Sequence, residues 1–121
     1  MYSSSEVGLF GEQRAIDWLR DNGYLIRSQN WRSGSFEIDI VAQKCDTLHF
    51  VEVKTRKMGG LTSPEYAMDR RKIEALKRVA NIYMAQYQID LEPQFDMVAV
   101  DLFDEHNYEV RYIPCVIECN W

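Results

Sequence analysis

Apolar positions recur along the chain with two periods, one typical of helices and one typical of strands. Helical spacing predicts helices over residues 4–22 and 69–88. Apolar or alternating runs predict five strands, near residues 24–30, 36–43, 48–54, 95–103 and 108–113. Three strands, a helix and a further strand imply a parallel strand pair joined by a helical crossover. We therefore expect an α/β domain whose mixed β-sheet is flanked by helices, in the order α-β-β-β-α-β-β.

The first predicted helix carries a carboxylate on its apolar face. Three residues at helical spacing form the face that we expect to be buried, namely Leu9, Ile16 and Leu19. Glu12 lies in the middle of this face, and Gly8 and Ala15 flank it, which would allow a close approach to the sheet. Glu12 is therefore expected to reach toward a functional site. The alternatives are a solvated side chain near a helix end or an ion pair with an arginine.

The second and third predicted strands form a hairpin whose turn, residues 44–47, would set the register between them. If the turn closes symmetrically, Asp39 lies directly opposite Glu52, and Glu37 lies opposite Lys54. Directly opposed side chains have Cβ atoms about 4.5–5.5 Å apart, and like charges at that separation repel. A divalent cation between the two acids would remove the repulsion. Mg²⁺ suits such a site because it prefers carboxylates, carbonyls and water as ligands.

These residues have complementary uses in phosphodiester hydrolysis. Asp39 and Glu52 would hold Mg²⁺ or Mn²⁺, and the backbone carbonyl of Val53 could add a ligand. Lys54 follows Glu52 by two positions, so both point to one face of the strand, where Lys54 could orient the attacking water and offset phosphate charge. Glu12 could hold the cation through water or help to place a second one. The alternative for the strand is an exposed end with a local ion pair.

Composition places the chain among single-domain globular proteins. Its 121 residues are 46% hydrophobic and 27% charged, which excludes a disordered chain, a collagen-like repeat and a disulfide scaffold. No apolar run approaches the roughly 20 residues of a membrane helix, and the N-terminus does not resemble a secretory signal. The three cysteines, Cys45, Cys115 and Cys119, are odd in number and poorly spaced for a metal site. We therefore expect a cytoplasmic protein without a membrane partner.

Charge is distributed unevenly along the chain. The net charge is −5, yet residues 54–78 hold eight basic and three acidic residues. An acidic total argues against a general nucleic-acid binder, whereas a local basic stretch is compatible with a directed one. Arg56, Lys57 and Lys72 are the candidates for phosphate contacts. Lys77 and Arg78 are expected to form the solvated face of the second helix, and residues 57–64 are expected to form a surface loop.

One spacing resembles a known nuclease motif. Asp39, twelve intervening residues and then Glu52-Val53-Lys54 resemble the PD-(D/E)xK motif of restriction-endonuclease-like nucleases. Over about residues 8–100 the chain also resembles the YraN-like family of small uncharacterised bacterial proteins, which is similar to archaeal Holliday-junction resolvases. The matching residues are Gly8, Gly11-Glu12, Ala15, Gly23-Tyr24, Asn30, Glu37-Ile38-Asp39-Ile40-Val41-Ala42, Phe50-Val51-Glu52-Val53-Lys54-Thr55-Arg56, Lys72, Ala80, Tyr83 and Phe95-Asp96.

The resemblance implies a single restriction-endonuclease-like nuclease domain over residues 1–121. It assigns the catalytic positions to Glu12, Asp39, Glu52 and Lys54, and it implies a Mg²⁺-dependent endonuclease that acts on DNA, with a structured or branched substrate and a homodimeric assembly. Two alternatives stay open. One is a non-catalytic nucleic-acid-binding or adaptor module on the same fold, and the other is a protein-interaction domain whose acidic C-terminal region binds a basic partner.

Overall fold

A computed structural model describes residues 3–57, 70–104 and 106–117. Its elements confirm the predicted order, with α1 (Ser4–Asp21), β1 (Leu25–Ser33), β2 (Phe36–Lys44), β3 (Thr47–Lys57), α2 (Arg70–Gln86), β4 (Glu92–Leu102) and β5 (Tyr108–Ile117). Apart from Lys57, the loop expected over residues 57–64 lies outside the described ranges, and so does Cys119.

The five described strands form one mixed sheet in the order β1-β2-β3-β4-β5. The pairs β1–β2, β2–β3 and β4–β5 are antiparallel, whereas β3 and β4 run parallel. The parallel pair is the one that the sequence predicted, because the chain between β3 and β4 contains α2. β3 therefore lies at the centre of the sheet.

The sheet separates two hydrophobic clusters. On one face, α1 packs Ile16 and Leu19 against Ile40, Val51 and Val98. On the other face, the α2 side chains of Leu76, Val79 and Tyr83 pack with residues from β2, β3 and β4, including Val41, Leu48, Phe50 and Phe95. β3 is consequently apolar on both faces over most of its length, as predicted for a central strand. Neither described helix is long and apolar enough to cross a membrane.

The buried face of α1 differs from the predicted one at a single position. Ser3 and Glu6 form a capping box at its start. Ile16 and Leu19 are buried as expected, but Leu9 is 66% exposed, so its predicted burial is wrong. Val7 takes its place in the core. Residues two positions apart on a helix do not share a face, so once Val7 is buried, Leu9 points away from the sheet.

Gly11 marks the closest approach of α1 to the sheet. A Cβ atom at this position would overlap Oγ1 of Thr55 on β3, whereas a Cβ at Gly8 would have no neighbour within 4 Å. The expected close approach therefore occurs at Gly11 and at the fully buried Ala15 rather than at Gly8. Glu12 follows Gly11 directly in the helix. The contact between Gly11 and Thr55 therefore determines how close the Glu12 side chain lies to the sheet.

A buried carboxylate supports the sheet beside the register shift in the β4–β5 pairing. Asp96 Oδ2 lies 2.6 Å from His49 Nδ1 and accepts a hydrogen bond from the Tyr112 hydroxyl. Its Oδ1 accepts from the Cys115 backbone amide and from the Gln94 amide. Burial raises the pKa of Asp96, but these hydrogen bonds outweigh it and hold the pKa below its usual value. His49 and Asp96 thus satisfy each other as core residues.

We expect alanine substitutions at the two glycines of α1 to act in opposite directions. Gly11→Ala should destabilise the protein by about 1–3 kcal/mol because the new methyl group overlaps Thr55. Gly8→Ala, the matched control, should stabilise it by up to about 1 kcal/mol because alanine favours the helix and meets no neighbour. Urea unfolding followed by circular dichroism measures both changes. Equal effects of the two substitutions would contradict the close contact at Gly11.

Candidate functional site

The site lies where β2 and β3 stop pairing with each other. Their ladder runs from Lys44↔Thr47 to Ile40↔Val51, which is the predicted register. The predicted next pairs, Asp39 opposite Glu52 and Glu37 opposite Lys54, do not form in this ladder, so that part of the prediction is wrong. Asp39 Oδ2 instead accepts a hydrogen bond of 2.8 Å from the backbone amide of Val53. A side chain has replaced backbone pairing at this point.

The pleat of β2 changes phase at the same place. Ile40 packs in the cluster against α1, whereas Ile38 and Val41 both pack in the cluster against α2. In a regular strand, residues 38 and 40 would share one face. The regular alternation of side chains is interrupted between residues 38 and 40. Asp39 therefore does not have the orientation that regular alternation predicts.

Asn30 joins two acids beside Asp39. In the amide orientation that satisfies its neighbours, Asn30 Nδ2 donates to Glu12 Oε1 at 2.7 Å and to Glu37 Oε1 at 3.0 Å. Its backbone has a positive φ of 51°, a conformation that asparagine adopts more readily than most residues. Glu37 also forms an ion pair of 2.8 Å with Arg32 on β1. Glu37 is thus held by two residues of β1, Asn30 and Arg32.

Sequence reasoning did not place Asn30 in the site, although a signal existed. In the β1–β2 ladder, the pairs Gln29↔Ile40 and Trp31↔Ile38 flank Asn30, which therefore lies across from Asp39. A correct prediction of this second register would have identified it. The sequence marked the β2–β3 turn clearly, but β1 carries an irregularity between Ile26 and Ser28 that shifts its register by one residue.

Most predicted site residues line one open depression of about 640 Å³ between the start of α1 and the end of β3. Among its lining residues are Glu12, Asp39, Val53, Lys54, Arg56 and Lys57. Asn30 and Glu37 line it as well. The catalytic candidates from α1, β2 and β3 therefore come together, with Lys54 exposed at the rim.

Glu52 and Lys72 lie in an adjoining cavity of about 260 Å³ on the α2 side of the sheet. Lys72, in the first turn of α2, places its Nζ 2.7 Å from Glu52 Oε1. Glu37 and Asp39 line both cavities, so Asp39 lies between Glu12 on one side and Glu52 on the other. Alternation along β3 accounts for the position of Glu52, because its neighbours Val51 and Val53 pack in the cluster against α1. Lys54, which the sequence predicted on the same face as Glu52, instead lines the depression that contains Glu12.

The surroundings of Asp39 disfavour its charged form. Burial is the largest cause and raises its pKa, and the charges of Glu52 and Glu37 raise it further. The hydrogen bond from the Val53 amide and the charge of Lys54 lower the pKa, but they do not compensate. The net result is a pKa above the usual value, so the carboxylate is held at a cost in free energy at neutral pH.

The surroundings of Glu12 also disfavour its charged form. Burial raises its pKa first, and the negative charges of Asp39 and Glu37 add to the increase. Two of the predicted catalytic acids therefore have raised pKa values and repel each other. Carboxylates with pKa values perturbed by burial and by each other's charge cluster at functional sites.

The donor atoms at the site suit a hard divalent cation. Carboxylate oxygens and a backbone carbonyl at Val53 are the ligand types that Mg²⁺ and Mn²⁺ accept. Glu52 Oε2 is buried and has no hydrogen-bond partner among the described residues, which is compatible with its use as a cation ligand. Within residues 3–57, 70–104 and 106–117, however, no three acidic, histidine or cysteine side chains are already grouped closely enough to hold a metal ion. The donors fit the cation, but they are not preassembled around it.

A buried acid holds Arg56 at the edge of the depression. Asp101 on β4 is 4% exposed and lies directly beside Arg56 in the parallel ladder. Its two oxygens accept hydrogen bonds from Nε of Arg56 at 3.0 Å and from Nε of Arg111 at 3.3 Å. A guanidinium group has five N–H donors, and the bond to Asp101 uses the one on Nε. Asp101 thus orients Arg56 at the edge of the depression.

We expect Asp39→Asn to stabilise the protein at neutral pH. Asparagine keeps an oxygen for the Val53 amide but removes the charge that Glu52 and Glu37 repel. The pKa of Asp39 is higher in the folded state than its unfolded value of roughly 3.9. The protonated side chain therefore contributes to the stability of the fold below that pH, and this contribution is lost as the pH rises through the folded-state pKa. The advantage of the variant should therefore be small near pH 3 and grow toward pH 7.

Chemical denaturation between pH 3 and pH 7 measures this difference, with Asp46→Asn in the exposed β2–β3 turn as the control. At pH 7 the control should change the stability less than Asp39→Asn does, because Asp46 is exposed. A variant at position 39 that is less stable than the wild type at pH 7 would contradict the proposed repulsion.

Comparison with known proteins identifies relatives along nearly the whole chain. The model of the uncharacterised protein family UPF0102 matches residues 11–100. A UPF0102 protein of Bacteroides thetaiotaomicron is 42% identical over 113 residues, which cover 93% of each chain. A UPF0102 protein of Porphyromonas gingivalis is 43% identical over 102 residues, covering 84% of this chain and 76% of the relative. The chain therefore belongs to the uncharacterised protein family UPF0102.

Proposed function

We propose that this protein is a metal-dependent endonuclease that hydrolyses phosphodiester bonds in DNA, with structured or branched DNA as its substrate. The observation that carries the proposal is the convergence of Glu12, Asp39 and Lys54 on one depression, with Glu52 close enough to raise the pKa of Asp39. These acids come from three separate elements, α1, β2 and β3. Their mutual repulsion is a cost that a bound cation would remove.

The side chains have distinct roles in this proposal. Asp39, Glu52 and the carbonyl of Val53 would hold Mg²⁺ or Mn²⁺, which would supply charge stabilisation for the phosphate and make water more acidic. Lys54 orients the attacking water and offsets the charge of the phosphate in the transition state. Glu12 lies on the other side of Asp39 from Glu52, where it would act through water on the cation or help to place a second one.

The proposed contacts to DNA are made with the phosphate backbone. Arg56 and Lys57 line the same depression as Lys54 and extend positive charge along the end of β3. Backbone contacts position a nucleic acid without reading its sequence, which suits recognition of shape. A homodimer with two such sites would act on both strands of a branched substrate.

A non-catalytic nucleic-acid-binding module is the second candidate, and one observation favours it. In the described residues both central acids already have partners, Asp39 through the Val53 amide and Glu52 through Lys72. A protein of this kind would bind DNA with an affinity that falls as salt increases, but it would not cleave.

We expect metal-dependent cleavage of DNA that is lost when the proposed site is disrupted. Labelled single-stranded, duplex, flapped and four-way-junction DNA would be incubated with Mg²⁺, Mn²⁺ or EDTA. Asp39→Ala and Lys54→Ala should each reduce the rate by about 100-fold or more, because each removes a group that stabilises charge in the transition state. Branched DNA should be cut faster than linear duplex.

Two matched variants control for loss of charge alone. Asp46→Ala and Lys44→Ala remove an acid and a base from the opposite, exposed end of the same hairpin and should cleave at the wild-type rate. Binding without cleavage in either metal would support the second candidate. Equal cleavage by the wild type and both site variants would show a contaminating nuclease and contradict the first proposal.

We also expect Arg56 to contribute one phosphate contact. Arg56→Gln should reduce the slope of log affinity against log salt by about 1 in EDTA, where no cleavage occurs. Arg27→Gln, on the exposed edge strand β1, should leave the slope unchanged. Fluorescence anisotropy with a four-way junction measures both. A slope that is the same for both variants would remove Arg56 from the interface.

A further inference from the structure

The ion pair between Lys72 and Glu52 joins the first turn of α2 to the centre of the candidate site. Nζ of Lys72 lies 2.7 Å from Oε1 of Glu52, and their side chains are 35% and 21% exposed. Both residues line the cavity that also contains Asp39. The sequence made Lys72 a candidate for a phosphate contact, and in the structure its charge lies beside a proposed metal ligand.

Glu52 is incompletely satisfied even with this partner. Its Oε2 is buried and has no hydrogen-bond partner in the part of the chain that the structure describes. The neighbouring charge of Asp39 repels it. A partly buried carboxylate requires a compensating positive charge, and Lys72 supplies one beside Oε1. The carboxylate is therefore paired through one oxygen, while among the described residues its other oxygen has no partner.

We infer that Lys72 is the counter-charge of Glu52 in the metal-free protein and that it competes with a divalent cation for this carboxylate. This inference rests on the proposed function, since it assumes that the cation binds at Asp39 and Glu52. Two positive charges beside one carboxylate repel each other, so binding of the cation weakens the Lys72 ion pair. Linkage then requires that Lys72 weaken binding of the cation by the same factor.

The consequence is that Lys72 sets the divalent-cation concentration at which the site fills. It is a positioning residue that acts through Glu52, and it couples the position of the first turn of α2 to the state of the site. A lysine that served as a phosphate contact would instead affect the affinity for DNA and leave metal binding unchanged. The two roles therefore predict different measurements on one variant.

The test is calorimetric titration of the purified full chain with Mn²⁺ in the absence of DNA. Lys72→Met removes the charge and keeps most of the apolar stem, and it should bind Mn²⁺ more tightly than the wild type by on the order of tenfold. Lys72→Arg keeps the charge and should bind within about threefold of the wild type. Arg71→Met removes the same charge from the same turn of α2 and should also leave the affinity unchanged, because Arg71 is exposed.

A second measurement uses the wild-type protein and does not depend on the folding of a variant. If Mn²⁺ displaces Lys72 from Glu52, the rate at which acetic anhydride modifies Lys72 should increase several-fold when Mn²⁺ is added. Mass spectrometry of peptides measures this rate at each lysine. The exposed Lys44 is the internal control and should react at the same rate with and without the cation.

The outcomes separate the inference from the proposed function. If Glu52→Gln and Asp39→Asn abolish Mn²⁺ binding but Lys72→Met leaves it unchanged or weakens it, the competition is wrong and the metal site stands. If Lys72→Met instead weakens DNA binding in EDTA and does not alter Mn²⁺ affinity, Lys72 is a phosphate contact. If neither Glu52→Gln nor Asp39→Asn affects Mn²⁺ binding, both the inference and the proposed metal site fail.

Discussion

The hydrogen bond from the Val53 amide to Asp39 is the interaction on which the arrangement of the site depends. It connects β2 to β3 immediately beyond their last ladder pair, Ile40↔Val51. Among the described residues, this hydrogen bond is the contact that holds Asp39 between the cavities on either side of the sheet. The same bond brings the carboxylate next to the Val53 peptide, whose carbonyl is a proposed ligand. One backbone donor thus determines both where the strands separate and where the central acid lies.

The rest of the molecule maintains an excess of negative charge around this bond. Gly11 allows α1 to contact Thr55, which brings Glu12 close to Asp39, and Asn30 holds Glu12 and Glu37 together. Burial and mutual repulsion raise the pKa values of Asp39 and Glu12. Asp96 differs, since its four donors lower its pKa and make it a structural acid. The contrast between satisfied and unsatisfied carboxylates distinguishes the support of the fold from the candidate site.

The sequence predicted those features that follow from local patterns. The element order, the helical crossover and the first five pairs of the β2–β3 hairpin are all local consequences of periodicity and turn position. The prediction failed where a tertiary contact overrides the pattern, as at Asp39, whose side chain replaces a ladder pair, and at Leu9, which loses its place in the core to Val7. The Lys72–Glu52 ion pair was not predicted because it depends on how α2 docks across the sheet, which periodicity does not determine.

The proposed function requires that Asp39, Glu52 and the carbonyl of Val53 together bind a cation. X-ray anomalous scattering from crystals soaked in Mn²⁺ tests it most directly, because the signal locates the metal independently of any activity. We expect a strong peak between the carboxylates of Asp39 and Glu52, beside the Val53 carbonyl, and its disappearance in crystals of Glu52→Gln. An ordered Mn²⁺ peak elsewhere, with no density at this position, would contradict it.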